Sequence, residues 1–209
     1  MIRSVAVATL LALSLAACAD DEAGTEPTPE ATPTTTVIPD GLTPTDPGTA
    51  LEYGDPATIA WQPAAELTGV LDVTVESVEE QRKSVLEGWL RDESMKQSRP
   101  YFVTVSLANV GETDLAGQVV PLYLRDDRGT IGAPWTLGGD FTACQSGPLP
   151  APFDAGATGE VCLLYLAPDG ARIDDMVFQP TEDYDPITWS GDVAPPPEAA
   201  PSRPGKKKR

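Results

Sequence analysis

Histidine is absent from this chain. That removes the commonest general base, the commonest zinc ligand and any Ser-His or Cys-His catalytic pair. Aromatic residues are scarce, at 6% of the chain, so a core has to be built largely from Val and Leu. Basic residues are few: 14 Lys and Arg stand against 32 Asp and Glu, for a net charge of −18. Five of the basic residues (Arg203, Lys206, Lys207, Lys208, Arg209) are crowded into the last seven positions. Residues 19–202 hold eight basic residues against all 32 acidic ones. Such a body repels nucleic acid and anionic lipid surfaces. Long hydrophobic runs are also missing. The longest, Val5 to Leu15, is shorter than the roughly 20 residues a spanning helix needs. There is no phosphate-cradling Gly loop and no Gly-x-Ser-x-Gly elbow.

What is there begins with a leader. Met1-Ile2-Arg3 supplies a short basic start, Val5–Leu15 an apolar stretch, and Ala16-Ala17 small residues, the pattern of a secretory signal. Leu15-Ala16-Ala17-Cys18, followed by Ala19 and Asp20, resembles the lipobox of bacterial lipoproteins. The resemblance implies a diacylglyceryl group on the Cys18 thiol and cleavage that makes Cys18 the new N-terminus. Residues 1–17 are then a lipoprotein signal peptide. The alternatives are an ordinary secretory cleavage site and an uncleaved anchor. They fit less well the Leu three positions before the cysteine and the Ala pair between. Each buried methylene contributes about 0.8 kcal/mol, so two or more acyl chains anchor a protein firmly. The expected location is the extracytoplasmic face of the cell membrane.

If Cys18 is lipidated, Cys144 and Cys162 remain as an even pair in an oxidising compartment. A disulfide between them is expected, closing a loop of about 17 residues. In the loop-entropy view it contributes on the order of 3 kcal/mol. A redox or metal role is disfavoured by the missing Cys-x-x-Cys spacing.

Residues 18–51 are rich in Thr, Pro, Asp, Glu and Gly, and are expected to form a disordered tether. Its threonines are either O-glycosylated or bare. Residues 193–209 are expected to be a disordered Pro-rich basic tail, solvated or touching anionic head groups. Between them, 52–192 carries the marks of an all-β domain. Leu71, Val73 and Val75 alternate with Asp72, Thr74 and Glu76; Tyr101, Val103, Val105 and Leu107 alternate with Phe102, Thr104, Ser106 and Ala108. Val120, Leu122 and Leu124 lead into a turn at Asp126-Asp127-Arg128-Gly129. Val161–Leu166 is a continuous apolar run, expected of a central strand covered on both faces. Ile59–Trp61, Met176–Phe178 and Ile187–Trp189 read as shorter strands. About seven strands punctuated by Gly, Pro and Asp predict an antiparallel, immunoglobulin-like β-sandwich. Glu79–Ser98 is ambiguous. Val85, Leu86, Trp89 and Leu90 share one side of a helical projection, but Gly88 weakens a helix by about 1 kcal/mol, and an irregular excursion with Trp89 packed on the sandwich competes equally.

Two segments carry a family resemblance. Val70-Leu71-Asp72-Val73-Thr74-Val75-Glu76-Ser77-Val78 and Pro100–Gly111, an aromatic-led strand ending in Asn109-Val110-Gly111, resemble the telokin-like, immunoglobulin-like domains of actinobacterial secreted lipoproteins. These domains are related to a mycobacterial immunoprotective extracellular antigen. The resemblance spans about residues 60–190. It implies a β-sandwich on the outer membrane face and no activity. It gives Asn109 and Gly111 a structural corner, not a catalytic role.

Candidate chemistry is confined to acidic clusters: Asp126-Asp127, Asp174-Asp175 and Glu182-Asp183-Tyr184-Asp185. Calcium needs six to eight oxygens, and turn-borne carboxylates are a fragment of such a shell. No EF-hand loop is present, and solvated turn carboxylates are the default. Paired acids for glycoside hydrolysis have no distinguishing signal here. Trp61, Trp89, Trp135 and Trp189 are expected in the core, unless two or more cluster at the surface to meet a carbohydrate or peptide. The expectation is therefore a monomeric, non-enzymatic binding module with no catalytic, cofactor or metal residues. Its partner is an envelope protein or extracellular ligand, not nucleic acid. A structural or cation-holding lipoprotein is the second reading and a hydrolase the third. Cys18→Ala should release the protein from the membrane fraction of its cells; full retention would remove the anchoring reading.

Overall fold

The computed structural model describes residues 38–64 and 67–198. The leader, Cys18, most of the expected tether and the basic tail from 199 onward lie outside the described residues. Ten strands form two sheets. They are β1 (Ala50–Glu52), β2 (Pro56–Ala64), β3 (Leu67–Glu80), β4 (Arg99–Asn109), β5 (Tyr123–Asp126), β6 (Ile131–Gly132), β7 (Thr158–Ala167), β8 (Ile173–Phe178), β9 (Ile187–Ser190) and β10 (Val193–Ala194). One sheet runs β1-β9-β8-β5-β6. The other runs β10-β3-β4-β7, with β2 also paired to β3. The long β3 thus carries β2 along its first half and β10 along its last residues. This is the expected all-β sandwich. Three of the ten strands have only two or three residues, which leaves seven of four or more. Two pairings depart from the antiparallel expectation: β1 with β9 and β10 with β3 are parallel. Both involve short segments at the ends of the domain, which reach the sheet by main-chain bonding rather than by a hairpin.

Alternation explains the core. On β4, Tyr101, Val103, Val105 and Leu107 face inward; on β3, Leu71, Val73 and Val75 do the same. A bulge between Val75 and Ser77 inserts Glu76 and resets the phase, so that Val78 turns inward instead of Ser77. The facing sheet contributes Leu124, Met176, Phe178, Ile187 and Trp189. Asn109 ends β4 as a buried corner. Its side-chain amide donates to the Thr113 and Phe153 carbonyls at 2.8 Å, and its Oδ1 accepts from the Gly111 amide at 3.1 Å.

Val161–Leu166 is covered on both faces, as its composition implies, but it is not central. It lies in β7, the last strand of its sheet. Leu163 and Tyr165 enter the main core, while Cys162, Leu164 and Leu166 face a second, smaller cluster outside the sheet. That cluster is roofed by the 81–98 segment and by the loop carrying Leu137, Phe141 and Cys144. The 81–98 segment is the irregular excursion. It consists of a 3₁₀ turn at Lys83–Leu86 and a five-residue helix α1 (Glu93–Gln97), capped by the Asp92 carboxylate on the Met95 amide. A continuous helix is broken at Gly88, whose φ of +85° lies in the left-handed region. Trp89 packs edge-on against Phe141, with ring centroids 5.6 Å apart.

Both expected domain boundaries move outward. Thr45 donates to the Thr58 carbonyl and Gly48 to the Asp185 carbonyl, and Ala50–Glu52 is a strand, so the sandwich begins well before 52. It ends past 192, in β10, and Arg82 binds the Pro197 carbonyl. These segments attach through backbone bonds, which composition does not report.

Cys144 and Cys162 form a disulfide, with Cα atoms 5.3 Å apart. It clips the roofing loop to β7. Replacing both cysteines with serine should lower unfolding stability by about 3 kcal/mol in a denaturant titration. An unchanged midpoint would show that the clip adds nothing beyond the packing around it.

Candidate functional site

The acidic clusters do not assemble into one site. Among the described residues, no three His, Cys, Asp or Glu side chains are placed to hold a metal ion. Two of the acids are not solvated turn carboxylates. Asp126 is 1% exposed; its Oδ1 accepts from the Arg128 amide at 3.0 Å and the Thr130 amide at 2.7 Å, which shapes the turn after β5. Its Oδ2 lies 3.8 Å from the Arg128 Nε. Asp175 is in β8, directly across from Arg125 in β5, and accepts from its Nε and Nη2 along one edge of the guanidinium. Burial pushes the Asp175 carboxyl above its ordinary range, and Arg125 pulls it back only in part. Asp127, Asp174, Glu182, Asp183 and Asp185 are exposed. The Tyr53 hydroxyl is buried without a partner, and its pKa is pushed up to about 12 by burial and by Asp175 and Asp174. It stays protonated at neutral pH.

The tryptophans separate as well. Trp189 and Trp61 are buried, and Trp89 is half-buried in the outer cluster. Trp135 is 41% exposed. No surface cluster of tryptophans exists among the described residues, yet Trp135 is not alone. The exposed large apolar side chains among the described residues are Val119, Ile131 and Trp135; Ile131 and Trp135 line one concavity, and Val119 lines a second that shares Ala133 with it.

The corner is made by a strand that changes sheets. After the two-residue β6, the chain passes Ala133-Pro134, and the Trp135 amide donates to the Leu164 carbonyl of β7 at 2.7 Å. The same stretch has therefore left one sheet and pinned itself to the edge of the other. On one side of it, Ile131 and Trp135 bound a notch of about 190 Å³ together with Met95, Leu124 and Leu166. On the other side lies a groove of about 490 Å³ with Val119, Tyr123, Pro134 and Pro180 in its walls. Ala133 borders both. Neither lining contains an Asp, Glu, Lys or Arg. Three other concavities each carry two or three carboxylates: Asp40 and Glu112; Asp72 and Glu160; Glu52, Glu76 and Asp192.

Of the four tryptophans singled out in the sequence, two fall at this corner: Trp135 lines the notch and the buried Trp61 lines the groove. Val119 and Ile131 were missed. Val119 carried a usable signal, since the inward alternation of Val120, Leu122 and Leu124 leaves it on the outer face. Ile131 follows a Gly-Thr turn in a strand of two residues, too short to show a period.

No family model, no curated protein and no solved structure matches this chain.

The raised Asp175 has a consequence for stability. The fold favours its protonated form, so between the unfolded value near 3.8 and the higher folded value, stability falls as pH rises. Asp175→Asn removes that component. The stability difference between the two proteins should therefore slope with pH just above 3.8; a flat difference would mean Arg125 neutralises the burial cost completely.

Proposed function

We propose that this protein is a non-enzymatic binding module, held by a lipid on Cys18 at the outer face of the cytoplasmic membrane, and that its docking surface is the Val119–Ile131–Trp135 corner. The observation that carries the reading is the convergence of those three exposed apolar side chains on adjoining concavities free of charge. Isolated exposed hydrophobics are ordinary, whereas a contiguous apolar patch marks an interaction site. An exposed Trp beside aliphatic side chains is the composition of an interface centre.

The lipobox-like Leu15–Cys18, the Cys144–Cys162 bridge and the resemblance to secreted envelope lipoproteins all support an extracytoplasmic setting. The Thr/Pro stretch after Cys18 serves as a spacer between anchor and domain. The partner is another envelope protein or an extracellular ligand. A chain without histidine and without a nucleophile motif gives hydrolysis no comparable support.

The test is a paired variant. Ile131→Ser with Trp135→Ala should lower the unfolding midpoint modestly and keep the transition cooperative, because each side chain is about half exposed and sits outside the main core. It should abolish the partner set recovered by cross-linking from intact cells. Recovery of the same partners by the doubly substituted protein would refute the corner as the docking surface.

A further inference from the structure

Resting on the docking reading above, we infer that the corner recognises an extended, uncharged, proline-containing peptide segment, with one aliphatic side chain of that segment seated in the notch beside Trp135.

Charge decides the first part. The body carries a large negative excess, and three of its other concavities hold carboxylates, yet the two concavities at the corner hold no charge of either sign. A basic segment would be drawn to the carboxylate-lined surfaces instead, and an acidic one repelled by the body as a whole. A charge buried at the corner would lose its hydration with no counter-charge to replace it. An uncharged partner meets neither obstacle.

The groove is mixed, with Gln118 and Thr181 beside Val119, Tyr123 and four prolines, but the notch lining favours an aliphatic side chain over a sugar. A sugar brings many hydroxyls, and each one desolvated without a partner costs about 1–3 kcal/mol. The notch walls are mostly hydrocarbon: Met95, Leu124, Ile131, Leu166 and the Trp135 ring. Of its polar side chains, Ser98 already donates its hydroxyl to the Ser94 carbonyl at 2.9 Å. Aliphatic and proline side chains fill such a surface without a hydrogen-bond debt.

Size and shape set the mode. About 190 Å³ is below the range of about 300–1,000 Å³ typical of whole small-molecule sites, but it suits one side chain. The groove of about 490 Å³ shares the wall residue Ala133 with it. A knob followed by a ribbon is the footprint of an extended chain. Proline fits the ribbon because polyproline-type segments lose little entropy on binding and dock in grooves walled by aromatic and proline rings, here Tyr123, Pro134 and Pro180. Met95, unbranched, can adapt to the seated side chain.

The experiment places a photo-cross-linking amino acid at position 119 in the full chain and identifies what it attaches to in intact cells. The expected product is a peptide segment without charged residues and with at least one proline, its yield falling about tenfold or more when Trp135→Ala is added, as for loss of a central anchor. Attachment to a charged segment, to carbohydrate or to lipid overturns the ligand class while leaving the corner as a docking surface. No attachment above background overturns both.

Discussion

The structure depends on one demand made by β7. Residues 161–166 are apolar on both sides, so a single opposing sheet cannot bury them. Leu163 and Tyr165 are met by the facing sheet; Leu164 and Leu166 need a second cover, and most of the irregular structure supplies it. The 81–98 excursion brings Leu86 and Trp89, and the loop after Trp135 brings Leu137, Phe141 and Cys144. The disulfide then fixes that loop to the strand it covers. Leaving this cover off would expose several large side chains at roughly 1.5–3 kcal/mol each. Two long stretches without regular structure are therefore part of the core.

The corner at Trp135 follows from the same demand. The covering loop starts from β6, at the edge of one sheet, and has to arrive over the edge of the other. Pinning the Trp135 amide to Leu164 makes that transfer in a few residues. Ile131 and Trp135 stay partly exposed on this stretch. The apolar, uncharged patch thus lies where the chain passes from one sheet to the other.

Much of the sandwich was legible in the sequence because alternation is local. Leu71, Val73 and Val75, and Tyr101 through Leu107, declare their inward face without knowledge of any partner. The apolar character of 161–166 was equally clear, but its place at a sheet edge was not, because two-sided burial reads the same whether a neighbouring strand or a loop provides the cover. Asp175 looked like a turn residue beside Asp174; its pairing with Arg125 exists only once β5 and β8 are in register. Gly88 marked the break in the 79–98 segment, but the direction of the chain after it depended on Phe141, distant in sequence. The corner was the least visible part, since Val119, Ile131 and Trp135 come together only through the sheet change.

The short strands at the two ends of the domain bear on how the molecule tolerates its own neighbours. An open sheet edge is a template for pairing with another copy, the first step of aggregation. Here β1 closes one flank of the first sheet and β10 closes part of the long β3 in the second. Each is two or three residues long, with Glu52 and Asp55 beside one and Asp192 beside the other, and three prolines follow β10. Such edges are too brief and too negatively charged to recruit an incoming strand. The segments that lead the chain into and out of the sandwich therefore blunt the two flanks they close, and that protection does not extend to the longer β2 and β7.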